Sequence, residues 1–184
     1  MSEVNELREQ VRALQAELDA LKLTLEVVGT VDFDSGMLSR TGILEALERG
    51  QRWLARRGDI YGILVVTFPS LHADARHGPE ATEFRSHVAA TMGAAVRDVD
   101  SVGRLDDDTF AAVLSDLRAG ALQIVAQRMR DLLERLVASS QLIGGTFRIA
   151  GLEVLSKAPS GDILDRALML TLEANPGPVL GQIN

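Results

Sequence analysis

In the first 28 residues, apolar side chains recur with alternating gaps of three and four: Val4, Leu7, Val11, Leu14, Leu18, Leu21, Leu25 and Val28. That is the a/d pattern of a coiled coil, in which one narrow seam of a helix is buried against a second helix. A helix that packs on its own domain usually carries a wider stripe. Here the b, c and f positions are mostly Glu, Arg, Asp, Ala and Asn. Val4 and Val11 at a, with Leu7, Leu14 and Leu21 at d, favour two parallel strands. In that register Glu3 and Glu17 at g face Arg8 and Lys22 at e of a second copy, whereas an antiparallel pair would oppose glutamates. Each exposed pair contributes only about 0.2–1 kcal/mol, so the charges select orientation and a/d burial supplies the affinity. Residues 1–30 are expected to be a dimerisation helix, ended by Gly29 and the Thr30-Val31-Asp32 segment. The alternative is that the stripe packs on the chain's own domain.

The rest of the chain, residues 31–184, is long enough for one domain of ordinary size, and 46% apolar residues overall supply a core. Nineteen Lys and Arg against 26 Asp and Glu give a net charge of -7, which opposes non-specific attraction to nucleic acid or anionic lipid. With no cysteine, and with His72, His77 and His87 at no zinc-like spacing, neither a disulfide nor a metal site is expected. The amino terminus lacks the layout of a signal peptide, and no apolar run reaches the roughly 20 residues of a membrane span. A cytoplasmic protein with no cofactor is the expectation.

From Ser39 the chain reads as a capped helix to about Arg57, with Ile43, Leu44, Leu47, Leu54 and Trp53 on its buried face. Ile60–Phe68, closed by Pro69, reads as a central strand. A helix is expected from about Glu80 to Arg97, and strands over Ser101–Leu105 and Phe110–Leu114 around an acidic turn. A long helix over about 119–138, a strand within 146–155 and a last helix after Pro159-Ser160 complete the pass. The hairpin demands antiparallel pairing, so the fold class is α+β.

The segment Val102-Gly-Arg-Leu-Asp-Asp-Asp-Thr-Phe-Ala-Ala-Val-Leu114 resembles the signature hairpin of GGDEF domains, with Asp106, Asp107, Asp108, Thr109 and Phe110 in the place of the quintet. Asp32-Phe-Asp-Ser-Gly-Met-Leu-Ser-Arg40 resembles that family's opening Asp-x-Leu-Thr-Gly-Leu-x-Asn-Arg motif. Asp162-Ile-Leu-Asp-Arg-Ala-Leu-Met169 resembles its late Ala-Asp-x-Ala-Leu-Tyr helix, matching at Asp165, Ala167 and Leu168. The resemblance implies a palm-like, mainly antiparallel five-stranded sheet flanked by helices and preceded by a coiled-coil helix.

It also implies what is missing. Diguanylate cyclases need carboxylates to hold divalent cations over triphosphates and a turn that lets the substrate approach. The first metal aspartate of the family aligns with Thr67 or Phe68, the quintet's fourth acidic residue is Thr109, and its two glycines are Asp106 and Asp107. Family lysine and asparagine positions correspond to His72 and Ala75, and a late lysine to Leu172. No catalytic residue is therefore assigned, and the domain is expected to be degenerate. The aspartates at 106–108 read either as a solvated acidic turn or as a weak cation site.

Arg97-Asp-Val-Asp100 reproduces the Arg-x-x-Asp of the family's inhibitory site, which binds cyclic di-GMP. A guanidinium pairs with phosphate or a guanine edge and a carboxylate accepts from guanine N–H groups, so Arg97 and Asp100 are the candidate ligand residues. A helix-end salt bridge is the plainer reading. Three functions follow in order: a dimeric scaffold contacting another protein, a cyclic di-GMP receptor, and, last, residual cyclase activity or purine nucleotide binding at the altered face.

Overall fold

The structure, a computed structural model, describes residues 2–32, 34–69, 79–118, 120–139, 146–174 and 179–183, with the side chains of residues 7–21 in the first helix. In chain order the elements are α1 (Ser2–Val28), α2 (Arg40–Arg57), β1 (Ile60–Thr67), α3 (Pro79–Ala95), β2 (Ser101–Asp106), β3 (Thr109–Leu117), α4 (Ala121–Ser139), β4 (Arg148–Val154), α5 (Ser160–Glu173) and β5 (Val179–Ile183). The sheet runs β2-β3-β1-β4-β5 and is antiparallel except for the parallel β4–β5 pair. It is the α+β, mainly antiparallel five-stranded sheet that the sequence leads one to expect.

Strand β1 is buried at six consecutive positions, Tyr61 to Val66, because both faces of the sheet are covered. Successive side chains of a strand point to opposite faces. Leu64, Val66 and Phe68 accordingly join a core with α3 and α4 residues such as Val88, Met92, Met129 and Leu133. Tyr61, Ile63 and Val65 join the core on the other face, with Ile43 and Leu47 of α2 and Ile163 and Leu164 of α5. An apolar run without alternation is what a doubly covered strand requires.

Helix α2 is bounded as its sequence predicts. The Ser39 hydroxyl accepts from the Gly42 N–H at 3.3 Å, and Gly58 closes the helix in the left-handed region at φ 75°. Its buried stripe runs Ile43, Ala46, Leu47 and Gly50 and continues at half-buried Leu54. Trp53 lies one position off that stripe and is 38% exposed, which corrects its expected place on the buried face. Strand β5 was not legible: five residues interrupted by Gly181 carry too short a pattern, and its partner β4 is what orders them.

Helix α1 stands apart in its burial. Leu7, Val11, Leu14, Leu18 and Leu21 are 49–64% exposed, so the described part of the stripe does not pack on its own domain. The side chains of Val4, Leu25 and Val28, and those of Glu3 and Lys22, lie outside the described residues. Among the described residues no helix is long and apolar enough to cross a membrane.

Close packing makes one glycine diagnostic. A Cβ on Gly50 would sit 2.6 Å from Cδ2 of Tyr61, whose ring is buried against α2. Gly50→Ala should therefore destabilise the domain by about 1–3 kcal/mol despite alanine's better helix propensity. Urea melts of the two proteins measure this, and a more stable variant would show that Tyr61 does not press on α2.

Candidate functional site

The β2–β3 hairpin brings the quintet to the end of the sheet. Its turn falls at Asp107 and Asp108, and Phe110 enters the core, edge-on to Phe68 with ring centroids 5.8 Å apart. Phe68 in turn meets Phe84 edge-on at 5.3 Å and is wholly buried. The Phe68 N–H donates to the Asp108 carbonyl at 2.9 Å, which fastens the end of β1 to the turn. Thr67 is the register partner of Thr109 on one side and of Arg148 on the other. The two positions where the resemblance would place carboxylates, the end of β1 and the fourth of the quintet, are thus neighbours across two strands. Hydroxyls occupy both when the first is read as Thr67, and the alternative, Phe68, is a core aromatic.

The three aspartates of the turn do not converge. Asp106 Oδ1 accepts from the Asp107 N–H at 2.7 Å, Asp107 Oδ1 accepts from Arg104 Nη2 at 2.7 Å, and Asp108 Oδ1 accepts from the Thr109 hydroxyl at 2.8 Å. Among the described residues no three His, Asp or Glu side chains come together in a way that could hold a metal ion.

Arg104 is the hub of the site. Its side chain is 9% exposed, Nε donates to the Asp106 carbonyl at 3.1 Å, and Nη1 reaches Asp32 Oδ2 at 3.1 Å and Asp34 Oδ2 at 3.5 Å. Asp32 is fixed by its own turn: Oδ1 accepts from the Ser35 N–H at 2.8 Å and from the Ser35 hydroxyl, and its carbonyl accepts from Gly36. Gly36, at φ 69°, supplies the left-handed residue that this turn needs. Backbone bonds run beside the ion pairs, with Leu38 N–H donating to the Val102 carbonyl and Arg104 N–H to the Leu38 carbonyl. The 31–39 loop and the hairpin are therefore one unit.

Arg85 of α3 lies in the same electrostatic field, and sequence reasoning missed it. Burial, and then the positive charge of Arg104, hold its pKa below the usual guanidinium range, while Asp107, Asp34 and Asp32 pull the other way. The signal was present: α3 buries Ala81, Phe84, Val88, Met92 and Ala95, and Arg85 sits on that stripe.

The structure brings Arg97 and Asp100 together, with Arg97 Nε 3.5 Å from Asp100 Oδ2. The Asp100 carboxylate is 2% exposed and braces the end of α3, accepting from the N–H groups of Arg97 at 2.9 Å and Ser115 at 3.0 Å. Arg97 is largely exposed and donates through Nη2 to the Ser115 carbonyl at 2.8 Å. The remaining motif residues are also placed: Arg40 pairs with Asp165 at 3.7 Å on the surface, and exposed Leu172 offers its carbonyl to Arg148. His72 and Ala75 lie outside the described residues.

The fold is that of GGDEF domains. A structure of the diguanylate cyclase SiaD in complex with its activator SiaC from Pseudomonas aeruginosa matches with a TM-score of 0.69 at 19% identity, over 96% of this chain and 71% of that one. The FimX GGDEF domain from Pseudomonas aeruginosa matches at TM-score 0.66 and 18% identity, over 84% of this chain and 99% of that one. The coiled coil and GGDEF domain of DgcB from Caulobacter crescentus, in complex with c-di-GMP, matches at 0.64 and 15%, over 95% of this chain and 98% of that one. No family profile matches the sequence and no curated protein is significantly similar to it.

Breaking the buried pair tests the hub. Asp32→Ala removes the one buried carboxylate that Arg104 meets, leaving it Asp34, Asp107 and the Asp106 carbonyl, and should cost about 3 kcal/mol, the low end for a buried pair. Denaturant titration reads it, and a loss below about 1 kcal/mol would mean that the pair acts as a surface contact.

Proposed function

We propose that this chain is a catalytically inactive, dimeric protein of GGDEF fold that acts by presenting its surface to another protein. Residues 1–30 join two copies as a parallel coiled coil, and residues 31–184 form the degenerate domain. The observation that carries inactivity is the cross-strand pairing of Thr67 with Thr109. Divalent cations over a triphosphate require anionic oxygens, and two neutral hydroxyls beside an arginine do not fit that need. The aspartates at 106 and 107 add side chains and charge where a nucleotide would have to approach a bare turn.

Dimerisation is supported by the exposed stripe on α1. Five exposed Leu and Val seam residues leave apolar surface in water at roughly 25 cal/mol per Å², which burial against a second copy recovers. The match to the coiled coil and GGDEF domain of DgcB covers more of this chain than the residues after α1 supply. That SiaD is found with an activator protein supports a protein partner for this chain.

Sedimentation equilibrium tests the dimer: the wild-type chain should weigh twice 19.9 kDa, and Leu14→Glu with Leu18→Glu should return it to the monomer. A wild-type monomer at micromolar concentration would remove the coiled coil from the account.

A second reading is a cyclic di-GMP receptor using Arg97 and Asp100. Its support is the exposed Arg97 guanidinium beside a fixed carboxylate. Binding would have to replace the bond from Arg97 to the Ser115 carbonyl, so the expected affinity is modest. Isothermal titration with cyclic di-GMP at moderate salt separates the two readings. Heat that vanishes in Arg97→Ala favours the receptor, and no heat at high micromolar ligand leaves the scaffold.

A further inference from the structure

The sheet has two edges, and they are finished differently. Along β2 the 31–39 loop lies against the outer backbone, with Leu38 N–H donating to the Val102 carbonyl and Arg104 N–H to the Leu38 carbonyl. Strand β5, at the other edge, has only β4 beside it. The Ile183 carbonyl accepts from Leu155 N–H, so Val179, Gly181 and Ile183 turn their backbone groups toward β4, and Leu180 and Gln182 turn theirs outward. Among the described residues no backbone bond meets those outward groups. Native sheets blunt such an edge with charge, proline or a covering loop, and residues 179–183 carry neither charge nor proline.

A cleft of about 400 Å³ opens beside this edge, lined by Leu122 and Gln123 at the start of α4, by Leu180 and Gln182, and by Glu153, its one charged side chain. A Cβ on Gly151 would meet Leu180, Leu64 and Leu122 together, which puts Leu180 on the face of the sheet that α4 covers. Glu153 Oε2 accepts from Gln182 Nε2 at 3.0 Å at the surface.

We propose that the outer edge of β5 receives an extended segment of a partner protein as a sixth strand, with an apolar side chain in the cleft against Leu122 and Leu180 and a lysine or arginine at Glu153. Leu180 and Gln182 offer two N–H donors and two carbonyl acceptors, a pattern matched by the main chain of an extended strand. A second copy of β5 fits less well, since residues 179–183 bring no cation to Glu153. The inference rests on the reading of this chain as a scaffold for another protein, and it names where that protein binds.

The probe is a fluorescein-labelled peptide of alternating valine and threonine with one central lysine, added to the full-length chain and followed by polarisation and by amide hydrogen exchange read by NMR. It should bind, and saturation should slow exchange at Leu180 and Gln182 about tenfold more than at Gly181 and Ile183, which face β4. The same peptide N-methylated at alternate residues should not bind. Glu153→Gln should weaken binding about threefold, the scale of one exposed ion pair. Gln182→Pro, which removes an outward N–H and keeps the bonds to β4, should abolish it. No binding at high micromolar peptide, binding that N-methylation leaves intact, or exchange at Leu180 and Gln182 that saturation leaves unchanged would overturn the edge site while leaving the scaffold reading to its own titration. Slow exchange at those two amides in the peptide-free protein, growing with its concentration, would also overturn it by giving the edge to a second copy.

Discussion

Arg104 is the constraint on which the rest of this domain depends. One nearly buried guanidinium meets carboxylates from the 31–39 loop and from its own hairpin, and its backbone N–H is bonded to Leu38. A buried cation so held is costly to strand, because its desolvation is offset only while its partners remain. The hairpin turn, the loop that follows α1 and the N-cap of α2 at Ser39 therefore keep a common geometry. The Ser39 hydroxyl extends the connection by donating to the Gly29 carbonyl at the exit of α1.

Around that hub the sheet supplies rigidity. Strand β1 is apolar on both faces, helices cover each face, and the end of β1 is fastened to the turn through Phe68. Thr67 and Thr109 are cross-strand partners in the register of β1 with β3, with Arg148 on the far side of Thr67 and Asp106 on the far side of Thr109.

Much of this was legible in the residues. The a/d stripe is read from spacing, and its described residues, Leu7 to Leu21, are left exposed by the chain's own domain. Ser39 and Gly58 bound α2 by chemistry that acts within a few residues, and β1 is marked by an uninterrupted branched-apolar run. What the sequence hid depends on contacts far apart in the chain. Strand β5 is ordered by β4, Trp53 falls one position off the buried stripe of α2, and Arg85 acquires its meaning from carboxylates on other elements. The Arg97-Asp100 pair is the intermediate case, since its spacing predicted the salt bridge but not that Ser115 would occupy both residues.

On the proposed reading, a GGDEF fold carries hydroxyls and a self-paired turn where an active member would hold cation ligands. The central claim of that reading is tested most directly by incubating purified protein with GTP and Mg²⁺ or Mn²⁺ and resolving the products by chromatography. No cyclic di-GMP above the enzyme-free background is the result the account requires. Steady formation of the dinucleotide, lost on Asp108→Asn, would contradict it.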